Sequence, residues 1–256
     1  MKFLIQNNIF TSDELDYLAE CLEGLDFQYI GIVPFEHSLF SNEELTGLDY
    51  IPYGSTELIK KCLELGFKGV YFNPTNDYRK ALNNHVPMLN SRIISVEELL
   101  KLSDEELFVR PIGDLKLFNG QVYQIEDLQD LINAGLNGGS SKIGKLQLND
   151  ELIISQPKFI EAEYRTFIVD RKVVSICRYK SNGRLNPAKE VPHEILRFAE
   201  SITNDWLPNN NVVADICLVE EGFKVVEFNC INCSGFYLND MKAVFQALMS
   251  LNTKPN

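Results

Sequence analysis

Residues 212–237, VVADICLVEEGFKVVEFNCINCSGFY, constrain this chain more than any other stretch. Two β-rich runs flank a turn at Glu220-Glu221-Gly222, so they read as an antiparallel hairpin. Asp215 lies within the first run, and Glu227 and Asn229 lie near the end of the second. Facing residues of an antiparallel pair sit about 5 Å apart, so the two carboxylates can reach a common point. Glu227 and Asn229 are two residues apart and therefore project from one strand face. Three hard oxygen donors on neighbouring strands suit Mg²⁺ and leave coordination positions for water and phosphate oxygens.

A plain alternative is that acidic residues on strands mark a solvated face. Against it, Asp215 is set among Val212, Val213, Ala214, Ile216 and Leu218, and Glu227 follows Val225 and Val226. A carboxylate in an apolar run is seldom buried without a partner, and a metal supplies one. A polar turn with Asn232, Ser234 and Gly235 follows directly.

With 256 residues the chain is long enough for a substantial core and for more than one domain. A net charge of −12 argues against non-specific nucleic-acid binding, which needs clustered Lys and Arg. There is no run of about 18 apolar residues, so no membrane-spanning helix is expected. The opening MKFLIQNNIF turns polar too soon for a signal peptide, and the expected location is cytoplasmic. The six cysteines include one close pair, Cys230 and Cys233. A zinc site would need two further ligands, and His37, His85 and His193 are remote in sequence and read as surface residues. Free thiols are the simpler reading.

Along the chain, residues 1–95 read as a small α/β unit. A first strand in KFLIQNNIF precedes a helix capped at Thr11 or Ser12 and running to Gly24. FQYIGIVPF is a strand stopped by Pro34, and residues 36–50 are expected to be loop. Residues 50–73 read as strand, helix from Ser55 or Thr56 to Gly66, then strand. Residues 75–105 are expected to be helical and polar, with a domain boundary near 95. Beyond it come strands in ELFVRPI and LKLFNGQVYQI, a helix over 126–134, and a Gly/Ser-rich loop over 135–145. That loop lacks the GxxxxGK[ST] spacing, so a connector and a phosphate flap are both open readings. ELIISQPKFI is a strand, EYRTFIVDRKVVSICRYK is a hairpin turning at Asp170-Arg171, and helices cover 192–202 and 240–251.

Four cations stand in strand-like runs: Arg110, Lys116, Arg165 and Arg178. Counted from a turn near 170–172, Arg165 and Arg178 come roughly opposite one another. Facing like charges are unfavourable unless an anion lies between them, and a triphosphate is such an anion. Carboxylates for a metal plus convergent Arg and Lys form the apparatus of phosphoryl transfer. No Walker A, kinase or Rossmann signature is present, so the nucleotide needs another fold.

The ordered set FVRPIGDLKLFNG, ISQPKFIEAEYRTFIVDRKVVSICRYK and VVADICLVEEGFKVVEFNCINCSGFY resembles the ATP-grasp superfamily, most closely its R2K-like clade, over about residues 106–250. The resemblance implies an α+β fold in which two subdomains, 96–155 and 156–256, clasp ATP, preceded by the α/β domain of residues 1–95. It implies that Arg110 and Lys116 reach the phosphates, that the linker Gln156-Pro157-Lys158-Phe159 meets the adenine, and that Glu163 holds the ribose. Arg165 and Arg178 would hold the γ-phosphate or an acyl phosphate, with Lys116 the third catalytic cation. Asp215, Glu227 and Asn229 match Mg²⁺ ligands, Glu227 bridging two ions, while Asn232, Ser234 and Gly235 line the acceptor side. Many ATP-grasp enzymes carry Lys where this strand has Arg110. The implied activity is an ATP-dependent carboxylate–amine ligase working through an acyl phosphate. Its substrates would be ATP, a carboxylate and an amine from an amino acid, peptide or protein. The alternative is an ATP-binding factor that modifies or binds a host protein without such turnover.

Overall fold

The computed structural model describes residues 1–33, 38–41, 44–71, 78–90, 92–103, 106–112, 118, 120–138 and 146–252. Lys116, His37 and residues 139–145 of the Gly/Ser loop lie outside them.

The chain is mixed α+β and builds three sheets. The first has the order β3-β2-β1-β4, from β1 (Lys2–Gln6), β2 (Phe27–Ile32), β3 (Leu39–Phe40) and β4 (Tyr50–Tyr53). β1 pairs in parallel with β2 and β4, the connection to β2 passing through helix α1 (Ser12–Cys21). Thr11 starts α1 with a reciprocal cap: its hydroxyl accepts from the Glu14 amide, and the Glu14 carboxylate accepts from the Thr11 amide. Helix α2 (Thr56–Glu64) is capped by Ser55 and packs Leu58, Ile59 and Cys62 against β1 and β2.

Three expectations for this half need correction. Within the stretch 36–50, expected to be loop, Leu39 and Phe40 form β3 against β2. The strand expected after α2 does not form over residues 68–71. Gly69 turns there against β4, its amide bonded to the Tyr50 carbonyl, and a Cβ at Gly69 would meet that oxygen at 2.5 Å. The polar stretch 75–105 is not continuously helical. Helix α3 (Tyr78–Asn83) ends before Pro87, and β5 (Arg92–Ser95) leads into the short helix α4 (Val96–Leu99).

The second sheet has the order β5-β8-β6-β7 and is antiparallel, with β6 (Glu106–Pro111), β7 (Gln121–Gln124) and β8 (Glu151–Ser155). Helix α5 (Ile125–Leu136) covers it with Ile125, Leu128 and Ile132.

The third sheet carries the site. Its order is β11-β10-β9-β12-β13, with β9 (Ala162–Val169), β10 (Lys172–Ser181), β11 (Arg184–Ala188), β12 (Val212–Val219) and β13 (Gly222–Cys230). All neighbours are antiparallel. The β9–β10 turn uses Asp170 and Arg171 at φ 51° and 58°, the doubly left-handed geometry of a two-residue hairpin. On one face, helix α6 (His193–Ile202) packs Ile195, Ala199 and Ile202 against Tyr164, Ile168 and Ile216. On the other, helix α7 (Met241–Asn252) and the first sheet bury Phe167 and Val213 with Phe3, Ile51 and Phe245. The strand alternation then leaves Arg165, Asp215 and Glu227 on that second face, beyond the apolar packing.

Candidate active site

Asp215 pairs directly with Glu227 on β13 and with Arg165 on β9, so three charged side chains share one rung of the sheet. A bulge sharpens this arrangement: between the Asp215–Glu227 and Ile216–Val225 pairs, Val226 is an extra residue. Without it, one register step would send Glu227 to the α6 face.

Arg165 grips Asp215 with two bonds, Nε to Oδ1 at 2.9 Å and a terminal nitrogen to Oδ2 at 2.7 Å. Its other terminal nitrogen donates to the Gly235 carbonyl at 3.0 Å. Asp215 is 2% exposed and Arg165 12%. Burial pushes the Asp215 carboxyl up, and the Arg165 guanidinium pulls it back. Burial likewise opposes the charge on Arg165, but the bonded carboxylate outweighs it and holds the guanidinium protonated. The Asn229 amide donates to Asp215 Oδ2 at 3.1 Å and to Glu227 Oε1 at 3.3 Å. Rotating that amide end for end would present its oxygen to the same point.

Glu227 is the open member of the set. It is 32% exposed, and Arg110 reaches it from β6 of the second sheet at 3.4 Å. Arg110 also donates to the Tyr78 hydroxyl and lies 5.1 Å from that ring's centre. Tyr78 itself donates to the Val226 carbonyl at the bulge, and residues 87–89 bond to Val225. The bulge thus gives the second sheet an anchor on the edge of the third.

Three expected site residues, Arg178, Asn232 and Ser234, make other contacts than the sequence suggests. The β9–β10 register sets Arg178 opposite Tyr164 and Arg165 opposite Cys177, so the two arginines project from opposite faces. Arg178 donates to the Asn186 carbonyl instead. Val174 is an extra residue between the Val173–Ile168 and Ser175–Phe167 pairs, which a turn-based count passes over, and a second, Tyr179, enters between the Arg178–Tyr164 and Lys180–Glu163 pairs. Lys180 is the cation that shares the site face, 3.0 Å from Glu163. The other Glu163 oxygen accepts from the Tyr179 hydroxyl at 2.6 Å, so a ribose there would share an engaged carboxylate. Asn232 is a bolt between sheets: its amide donates to the Pro52 and Gly69 carbonyls and accepts from the Tyr71 amide. Ser234 donates to the Cys230 carbonyl, and its own carbonyl accepts from Tyr53. Those two side chains are occupied in holding the 231–235 turn.

Gln156, Pro157, Lys158 and Phe159 form an exposed crossing between the second and third sheets. Lys158 pairs with Glu221 at 3.3 Å, and the Phe159 ring is 72% exposed. Two residues that the sequence did not single out complete the neighbourhood. Tyr179 and Tyr237 stack at 4.9 Å, and the Arg165 guanidinium lies 5.4 and 5.1 Å from their centres. Tyr179 was visible only as the neighbour of a cation. Tyr237 has a left-handed backbone, φ 48°, which no sequence signal announces for a tyrosine.

The donor chemistry suits a hard divalent ion: two carboxylates and an amide oxygen on adjacent strands. Among the described residues no group of three His, Cys, Asp or Glu could hold a metal, and a metal at this rung would need Asn229 as its third ligand. Both Asp215 oxygens are engaged by Arg165, so metal binding requires at least one of those bonds to yield.

Residues 68–248 match the ATP-grasp domain of R2K clade family 3, and the chain belongs to that family. Similar solved structures are ATP-grasp proteins. A RimK domain protein ATP-grasp from Sphaerobacter thermophilus is 12% identical, with a TM-score of 0.58 over 98% of this chain and 95% of its own. The macrocyclase MdnC from Microcystis aeruginosa, bound with precursor peptide MdnA, is 12% identical with a TM-score of 0.59, covering 98% and 100%. The D-alanine–D-alanine ligase of Bacillus anthracis is 12% identical with a TM-score of 0.53, covering 98% of each chain. No curated protein matches the chain. The fold is therefore ATP-grasp. Among the described residues, no helix is long and apolar enough to cross a membrane.

Proposed function

We propose that the protein is an ATP-dependent ligase that joins a carboxylate to an amine through an acyl phosphate. The observation that carries this reading is the single rung Arg165–Asp215–Glu227, faced across a cleft by Arg110 from a different sheet. Charge of both signs at the meeting of two sheets is what phosphoryl transfer needs, since placement and electrostatics carry most of that catalysis.

ATP lies between the second and third sheets in this reading. The crossing at 156–159 meets the base, with the exposed Phe159 ring available for stacking, and Glu163 takes the ribose. Arg110, and Lys116 with it, hold phosphate oxygens. Mg²⁺ held by Asp215, Glu227 and Asn229 would offset negative charge on the β- and γ-phosphates. Arg165, anchored by Asp215 and flanked by two tyrosine rings, is oriented toward the transferred group and stabilises its charge. Lys180 takes the place first given to Arg178. The substrate carboxylate attacks the γ-phosphorus and ADP leaves. The amine nitrogen then attacks the acyl carbon and phosphate departs, with no nucleophilic side chain involved. Neighbouring folds whose names record a peptide macrocyclase and an amino-acid ligase support this reaction class.

Purified protein should bind Mg-ATP, and with cell extract it should release ADP together with a new amide found by mass spectrometry. Hydroxylamine in place of the amine should trap the activated carboxylate as a hydroxamate. Glu227→Gln should abolish both products and leave the circular dichroism melt unchanged. Full turnover in that variant removes the acidic rung from the mechanism.

A further inference from the structure

A second cavity, about 750 Å³, opens away from the nucleotide cleft, between α1, the start of α7 and one border of the third sheet. Its walls are charged. Glu20 comes from the last turn of α1 and Glu23 from just after it, Asp240 from just before α7 and Lys242 from its first turn, and Lys189 from just beyond β11. Its floor includes Ser175 and Ile176, successive residues of β10 whose side chains leave the strand in opposite directions. A cavity that touches both of them lies on the strand's edge and not on one face of the sheet.

That edge is open. β11 covers β10 only from Arg178 onward, where Arg178 faces Ala188. Among the described residues, 173–177 make no backbone bond outside the sheet. An uncovered edge with alternate N–H and C=O groups facing outward is a template for another strand. The bulge at Val174 and the full burial of Cys177 limit the available ladder to Ser175 and Ile176. A strand added here pairs over that short run and takes the rest of its hold from the charged walls.

We propose that this border docks an extended peptide, added as a strand beside β10, with basic side chains toward α1 and α7. The preference follows from the walls. The side of the edge shared with Ser175, which bonds to Asn239 and Asp240, carries Glu20, Glu23 and Asp240 against one Lys242. Lys189 also lines the cavity. So does Leu238, and it follows Tyr237, which stacks beside Arg165. A peptide seated here brings its next residues to the site. The inference rests on the ligase reading and gives its acceptor a class, a peptide or protein segment.

The test uses the full chain with a fluorescein-labelled hexapeptide of alternating lysine and valine. Fluorescence anisotropy should show saturable binding, weakened at least about tenfold when glutamate replaces the lysines. N-methylation of alternate amides, on the one face that meets β10, should abolish binding. The double variant Glu20→Lys, Glu23→Lys should lose the lysine peptide and bind Mg-ATP as before. No saturable binding, equal binding of both charge types, or indifference to N-methylation overturns the proposal. So does self-association of the protein that the same double variant removes, since a second copy is then the occupant. Peptide binding with no ADP formation would sink the ligase reading alone, and ADP formation without peptide binding would sink the docking site alone.

Discussion

Two arginine–carboxylate pairs lie within the candidate site, and they are built differently. Arg165 and Asp215 belong to adjacent strands of one sheet, meet through two short bonds, and are almost wholly enclosed. Arg110 and Glu227 belong to different sheets, meet through one 3.4 Å contact, and are 21% and 32% exposed. The enclosed pair is fixed by the ladder, and separating it leaves a buried charge unmatched. The open pair spans the cleft and can part at little cost, because water replaces each partner. One pair sets geometry, and in the proposed reading the other lets a nucleotide enter between the sheets.

The comparison breaks most readily at Arg165. Arg165→Met should destabilise the fold by about 3–5 kcal/mol, because Asp215 stays buried without its partner. Adding Asp215→Asn to Arg165→Met should recover much of that loss in chemical denaturation. If the single variant melts like the parent, the enclosed pair is not what holds the rung. Next in size is Asn232→Ala, which strips partners from the Pro52 and Gly69 carbonyls and the Tyr71 amide, at a cost of about 1–3 kcal/mol. Denaturant titration reads it directly, and because Asn232 is a bolt, Mg-ATP affinity in the folded fraction should be unchanged.

Arg110→Ala should sharpen the contrast. It should cost no more than about 1 kcal/mol of stability, as partly exposed pairs do, while weakening Mg-ATP binding in calorimetry. A stability loss as large as that of Arg165→Met would erase the distinction between the pairs. A last effect, away from both pairs, should come from alkali acting on a buried thiol. Cys62, fully buried on α2, has its thiol pushed by burial from 9.0 up to about 12. Its folded pKa lies above the unfolded one, so the unfolded chain loses its proton first. The stabilisation is complete below pH 9 and is lost as pH rises toward 12. Cys62→Ala should flatten that alkaline decline in thermal melts, leaving both pairs intact.

Periodicity and turn chemistry made much of the fold legible. The β12–β13 hairpin, the Asp170-Arg171 turn and the caps at Thr11 and Ser55 stand in the sequence as local patterns, because short-range sterics and hydrogen bonds decide them. The pairing of Asp215 with Glu227 was legible too, since two strands and a tight turn constrain which residues face each other. Arg178 was misplaced for the converse reason. A bulge adds one residue without any mark in composition, and side-chain period two turns one residue into a change of face. Asn232 looked like a site residue because polar side chains after a strand often are, but its partners Pro52, Gly69 and Tyr71 lie far back in the chain.

The amino-acid order alone determined the tight hairpin turns, the strands β9, β10, β12 and β13 that flank them, and that two carboxylates come face to face near the end. Tertiary structure decided which cation answers each of them, that Tyr78 and the Val226 bulge tie the second sheet to the third, and that β10 keeps an uncovered edge beside an acidic wall. The physical reason is range. Backbone sterics and side-chain period act over a few residues and are written locally, whereas charge pairing and edge coverage depend on segments brought together only by burial of the shared core.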